Sequence, residues 1–183
     1  MSGLAQTFYI DPEQIIGGGG SIGIMASSID LYFSAAASVE PISLHLREVE
    51  GGKVTNRIVP CSFVTVLAEN VNTSATAATA TNFAFPVPVF LEAGKEYAFV
   101  VEPGGNSPDY RLWVAELGEV DVVTEAVITR QPLAGVMLRT SNDKQFAEKP
   151  TKDIKFTLYR AKFTTNTTGS LYYENKQREI IDK

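Results

Sequence analysis

His45 and Cys61 are the single histidine and the single cysteine among 183 residues, so any acid–base, nucleophilic or metal chemistry by these types rests on one copy of each. A nucleophile–histidine arrangement needs a base held by a third group, and a zinc site needs three or four ligands. His45 sits on the polar side of the alternating run Ile42-Ser43-Leu44-His45-Leu46-Arg47, with Arg47 as its same-face neighbour. A lone histidine in that setting is read as a surface or half-buried strand residue rather than a ligand. Cys61 follows Pro60, lacks a nearby second cysteine, and is read as a small hydrophobe. The sequence leaves a Cys61–His45 pair open, and nothing in the spacing favours it.

The carboxylates fall as Glu48/Glu50, Glu116/Glu119/Asp121 and Asp143 beside Asn142. None of these follows the ligand spacing of an EF-hand loop. A glycosidase pair must face across a cleft, which spacing alone does not reveal. Solvated faces are the expectation.

Gly18-Gly19-Gly20-Ser21-Ile22-Gly23 satisfies G-x-G-x-x-G, yet a dinucleotide site needs that turn to open a helix. Here it runs into the alternating stretch Ser28 to Phe33, so a loop between strands is expected. Ile24 stands where a P-loop requires lysine. Asn72-Thr73-Ser74 and Asn166-Thr167-Thr168 match the N-glycosylation triplet. With no secretory signal visible, both are read as chance matches. No catalytic residue, metal site or cofactor is assigned, and the chain is read as not an enzyme.

The elements that would carry these residues are strands. Ile29/Leu31/Phe33, Ile42/Leu44/Leu46, Tyr97/Phe99/Val101 and Ile154/Phe156/Leu158 each recur with period two. Thr7–Ile10, Phe63–Leu67, Phe83–Phe85 and Leu112–Val114 add shorter runs, separated by Asp11-Pro12, Gly51-Gly52, Ala93-Gly94-Lys95 and Pro103-Gly104-Gly105-Asn106. Many short strands with turn signals and no long amphipathic helix predict an all-β, antiparallel, jelly-roll-like β-sandwich. Val120 to Ile128 reads as an irregular strand or one helical turn. Asn70 to Thr81, rich in Ala and Thr, reads as an exposed excursion.

The domain is placed at 1–162, with 163–183 as a C-terminal extension or linker to a partner or following domain. Leu171, Tyr172 and Tyr173 in that extension are candidate assembly residues. Tyr110 and Trp113, either side of Arg111 and Leu112, are candidate platforms for stacking a sugar, while burial of Trp113 in the core is the simpler expectation.

A net charge of -5 without a basic cluster argues against binding a phosphate backbone. No run approaches the ~18 apolar residues of a membrane span, so membrane insertion is not expected.

Five stretches taken in order carry a resemblance: Leu4 to Phe8, Ile29 to Phe33, Pro41 to Arg47, Phe85 to Tyr97 and Tyr110 to Gly118. Gln131 to Gly135 and Lys155 to Ala161 extend it over nearly the whole chain. The set resembles a module in tail and baseplate structural proteins of contractile-tailed phages, cyanophages in particular. The four-glycine run and the Ala/Thr-rich stretch depart from that pattern. The resemblance implies a non-catalytic virion protein, made in the bacterial cytoplasm. Its implied partners are other tail or baseplate proteins, with self-association left open. The alternative is a carbohydrate- or receptor-binding β-sandwich on a virion or cell surface.

Overall fold

The computed structural model describes residues 3–15, 22–131, 135–140, 145–163, 168 and 170. Thirteen strands lie among the described residues; the predicted alternating runs overlap ten of them, and the strands over 53–58, 137–140 and 146–149 fall in no predicted run. The first half gives β1 (Leu4–Tyr9), β2 (Gly23–Ala35), β3 (Ile42–Glu50), β4 (Lys53–Ile58), β5 (Val64–Val66), β6 (Ala80–Glu92) and β7 (Glu96–Pro103). The second half gives β8 (Arg111–Leu112), β9 (Val114–Glu116), β10 (Met137–Thr140), β11 (Phe146–Lys149), β12 (Lys152–Ile154) and β13 (Phe156–Arg160). Helical structure among the described residues consists of three short 3-10 turns. None is long or apolar enough to cross a membrane.

The strands pair antiparallel throughout. A seven-stranded sheet runs β11-β10-β1-β7-β3-β4, with β5 also on β3. A four-stranded sheet runs β13-β2-β6, with β8 on β2, and β12-β9 form a two-stranded piece. The architecture is all-β and sandwich-like, as the alternation predicts. The tight β3–β4 turn depends on Gly51 and Gly52, at φ 57° and 74°, where residues bearing a Cβ are strained. Pro86 and Pro88 lie in β6, an edge of its sheet, where a missing N–H does least harm to pairing.

The apolar faces meet in one core. Ile29, Leu31 and Phe33 from β2 join Leu44 and Leu46 from β3, with Phe83, Leu91 and Phe99 from β6 and β7. Each fully buried large apolar side chain contributes about 1.5–3 kcal/mol. Phe156 of β13 ties the sheets together, its ring edge-on to Phe99 at 4.9 Å and 6.0 Å from Phe8.

The reverse face of the large sheet is also covered. Ala5, Val100 and Leu138 are buried there, with Val54 and Phe146 packed against them. Arg47 on β3 lies 5.7 Å from the Phe146 ring on β11, although β7, β1 and β10 lie between those strands in the sheet order. Only a strongly curled sheet brings them together. The curl overturns the expectation for β3, because His45 and Arg47 are 2% and 7% exposed, not solvated.

At the start of β2, a Cβ on Gly23 would stand 2.2 Å from the Leu91 carbonyl oxygen and 2.8 Å from the Phe90 ring. Gly23→Ala is expected to destabilise the chain by about 2 kcal/mol or more, because backbone must shift. Urea denaturation checks this, with a lower midpoint at an unchanged slope.

Candidate functional site

β9 and β12 pair through Glu116 with Lys152, Ala115 with Asp153 and Val114 with Ile154. The Lys152 ammonium meets Glu116 at 2.7 Å. Past β9 the chain turns at Gly118, at φ 88°, into a short hairpin. Gly118 N–H donates to the Ile128 carbonyl and Ile128 N–H to the Glu119 carbonyl, both at 2.9 Å, and Val120 bridges Val127. Thus the segment read as an irregular strand or helical turn is a hairpin.

Its tip is held by one side chain. Asp121 Oδ1 accepts from the N–H groups of Val123 and Thr124 at 3.0 and 2.7 Å and from the Thr124 hydroxyl at 2.9 Å. The Thr124 and Val123 amides, followed by the hydroxyl, hold its carboxyl below the ordinary value. The tip therefore presents exposed Val122 and Val123 on a preset backbone.

Hairpin and β9–β12 enclose a cleft of about 700 Å³. Trp113, Val120, Val122, Ile128, Ile154 and Phe156 supply much of its apolar wall. Glu119 and Asp121 lie on the hairpin side, and Asp153 and Lys155 on the sheet side. Lys155 is already engaged, donating to the Ala77 carbonyl at 2.9 Å and lying 4.4 Å from the Tyr32 ring centroid.

Asp153 is 1% exposed. Its Oδ1 accepts from Gln6 Nε2 at 3.0 Å, and the Gln6 Oε1 accepts from Ile154 N–H at 2.9 Å. Its Oδ2 has no hydrogen-bond partner among the described residues. Desolvation raises the Asp153 carboxyl above its ordinary value, against the Gln6 bond, which lowers it. A buried carboxylate with one unsatisfied oxygen is costly to keep, and such groups concentrate at functional sites.

The residues singled out from sequence separate here. Trp113 lines the cleft half-buried, outside the main core, with its indole N–H donating to the Ser74 carbonyl at 2.8 Å. Tyr110 is not a stacking platform. It is 1% exposed, lies edge-on to Phe33 at 6.1 Å, and its hydroxyl donates to the Glu40 carbonyl.

The Ala/Thr-rich stretch is a mostly exposed excursion, as expected, but it is pinned to the fold at a few points. Ala77 and Thr81 are buried, and Ser74 and Ala77 carbonyls receive Trp113 and Lys155. Cys61 is exposed at φ 62°, not a buried hydrophobe, whereas His45 is buried and stacked on Phe63. His45 Nε2 accepts from Arg47 Nε at 2.9 Å. Glu48 and Glu50 both hold Arg57. Gly23 begins a strand, while Gly18 to Ser21 lie outside the described residues, as do Leu171, Tyr172 and Tyr173. No three of His, Cys, Asp and Glu converge among the described residues in a way that suits a metal ion.

Asp153 and the hairpin valines carried no signal in sequence. Asp153 gains its meaning from Gln6, 147 positions away. No protein-family model, curated protein or solved structure matches the chain.

A carboxyl raised on folding favours the protonated native state. That preference is fully present below the unfolded value of about 3.9 and is lost as pH rises through the folded value. Asp153→Asn removes this penalty while keeping an acceptor for Gln6. Its melting temperature relative to wild type is expected to be higher at pH 7 than at pH 4. Thermal denaturation at both pH values checks this, and a pH-independent difference contradicts it.

Proposed function

We propose that the chain is a non-catalytic structural component of a contractile phage tail or baseplate, working through protein–protein contacts. The hairpin carries the reading. Leu117, Val120, Val122, Val123 and Val127 are all exposed within one short excursion whose tip is fixed by Asp121. Exposed apolar surface gathered in one place marks an interaction site, and a preset backbone lowers the entropy lost on binding. The tail and baseplate setting rests on the ordered sequence resemblance. Its partners are other virion proteins.

Two changes test this without touching the core. Deleting residues from Gly169 onward, or replacing Val122 and Val123 together by aspartate, is expected to leave the melting temperature within a few degrees. Each is expected to lower incorporation into particles, measured by complementation and quantitative blotting of purified particles. Normal incorporation of both variants contradicts the proposal.

A second reading, carbohydrate binding, is favoured by one observation, the indole of Trp113 in an open cleft beside carboxylates. On a glycan array it requires specific binding that Trp113→Ala abolishes. Absence of binding by the wild type counts against it.

A further inference from the structure

The charge on the cleft is of one sign. Glu116, Glu119, Asp121 and Asp153 line it, against Lys155 as the cation on its wall. Lys155 is committed to the Ala77 carbonyl and the Tyr32 ring, and Glu116 to Lys152. Glu119 and Asp121 form no ion pair among the described residues. We propose that the cleft receives an arginine side chain from a partner protein, its guanidinium against the Trp113 indole and within reach of Glu119 and Asp121. This rests on the assembly reading above and names the chemistry of the partner at that site.

The carboxylates select a cation. An anionic guest would meet like charge on both sides of the cleft. The Asp121 carboxyl is held low by the Thr124 and Val123 amides and the Thr124 hydroxyl, with Lys155 contributing least, so it is ionised at neutral pH. All three of those hydrogen bonds fall on Oδ1, which leaves Oδ2 to accept from a guest. Asp153 acts without contact. Its Oδ2 has almost no accessible surface, so a guest in the cleft does not touch it. A nearby cation still favours its ionised form, against the burial that raises its carboxyl, because a low-dielectric wall transmits the attraction.

The apolar wall selects the kind of cation. Val120, Ile128, Ile154 and Phe156 stand beside the carboxylates, so an entering cation gives up much of its water. A guanidinium is planar and more weakly hydrated than an ammonium, stacks on indole, and offers a fork of donors to a carboxylate. Apolar surface also continues past the cleft, onto Val122 and Val123 at the tip and Leu117 and Val127 along the hairpin, all exposed. A small free cation leaves that surface bare. A polypeptide that carries the arginine covers it with the neighbouring side chains, as at the apolar centre of a protein interface.

Trp113 is the chain's only tryptophan, so its fluorescence reports on this cleft alone. The test titrates the full chain with the blocked pentapeptide acetyl-Gly-Leu-Arg-Leu-Gly-amide. A second titration uses the same peptide with citrulline, an uncharged isostere, in place of arginine. The expected result is a saturable change in emission with the arginine peptide, half complete at about 1 mM or below, as for a weak isolated contact. The citrulline peptide is expected to bind roughly tenfold more weakly, the effect of losing a charge-assisted hydrogen bond.

A double variant, Glu119→Gln with Asp121→Asn, removes both hairpin charges while the new amide oxygen at 121 still accepts from the tip amides. With its fold checked by circular dichroism, it is expected to bind the arginine peptide about tenfold more weakly and the citrulline peptide unchanged. Equal affinity for the two peptides, arginine binding unchanged in the double variant, or no saturable change by about 5 mM overturns the inference. If the peptides fail while particle incorporation still requires Val122 and Val123, this inference falls and the assembly reading stands. If the arginine peptide binds as expected and the valine variant is incorporated normally, the assembly reading falls instead.

Discussion

The contact of Phe156 with Phe99 and Phe8 holds the molecule in register. Phe156 opens β13, on the smaller sheet, and its two ring partners belong to the larger one. Aromatic pairs of this kind add about 0.5–1.5 kcal/mol beyond the area they bury. Their position matters more than that sum. β12 ends two residues before Phe156, so fixing the ring also fixes Asp153 and Ile154 beside Gln6. The cleft wall is therefore an extension of the core, and only the hairpin opposite it is an independent piece.

The larger sheet meets a second constraint. Its reverse face buries Ala5, Val100 and Leu138, and the curl that covers them also covers polar side chains on β3. His45 and Arg47 answer by bonding to one another and stacking on Phe63 and Phe146. A buried polar group is tolerable when its hydrogen bonds and ring contacts replace water. The chain's one histidine thus serves packing, and the thiol of Cys61 lies on an exposed turn.

Period-two alternation announced the strands that bury one face in the core, such as Ile29, Leu31 and Phe33 or Tyr97, Phe99 and Val101, but not the short or largely exposed β4, β10 and β11. The same pattern misplaced His45, since alternation separates two faces without telling whether the second is later covered. Tyr110 precedes β8 in a stretch with no periodicity, and its burial depends on Phe33 and Glu40, far away in sequence. The hairpin is set by Gly118 and Asp121, local devices that alternation does not detect. Asp153 looked like any acidic strand residue until the fold placed Gln6 beside it.

Hydrogen–deuterium exchange tests the central claim, that the cleft and its hairpin are the working contact surface, most directly. Uptake by the purified full chain is compared with uptake by the chain in assembled particles. Slower exchange over 113–128 and 152–156 on assembly, with the β3–β4 turn at Gly51 and Gly52 unchanged, is the predicted result. Unchanged exchange around the cleft, with protection gathered at that polar turn, contradicts the account.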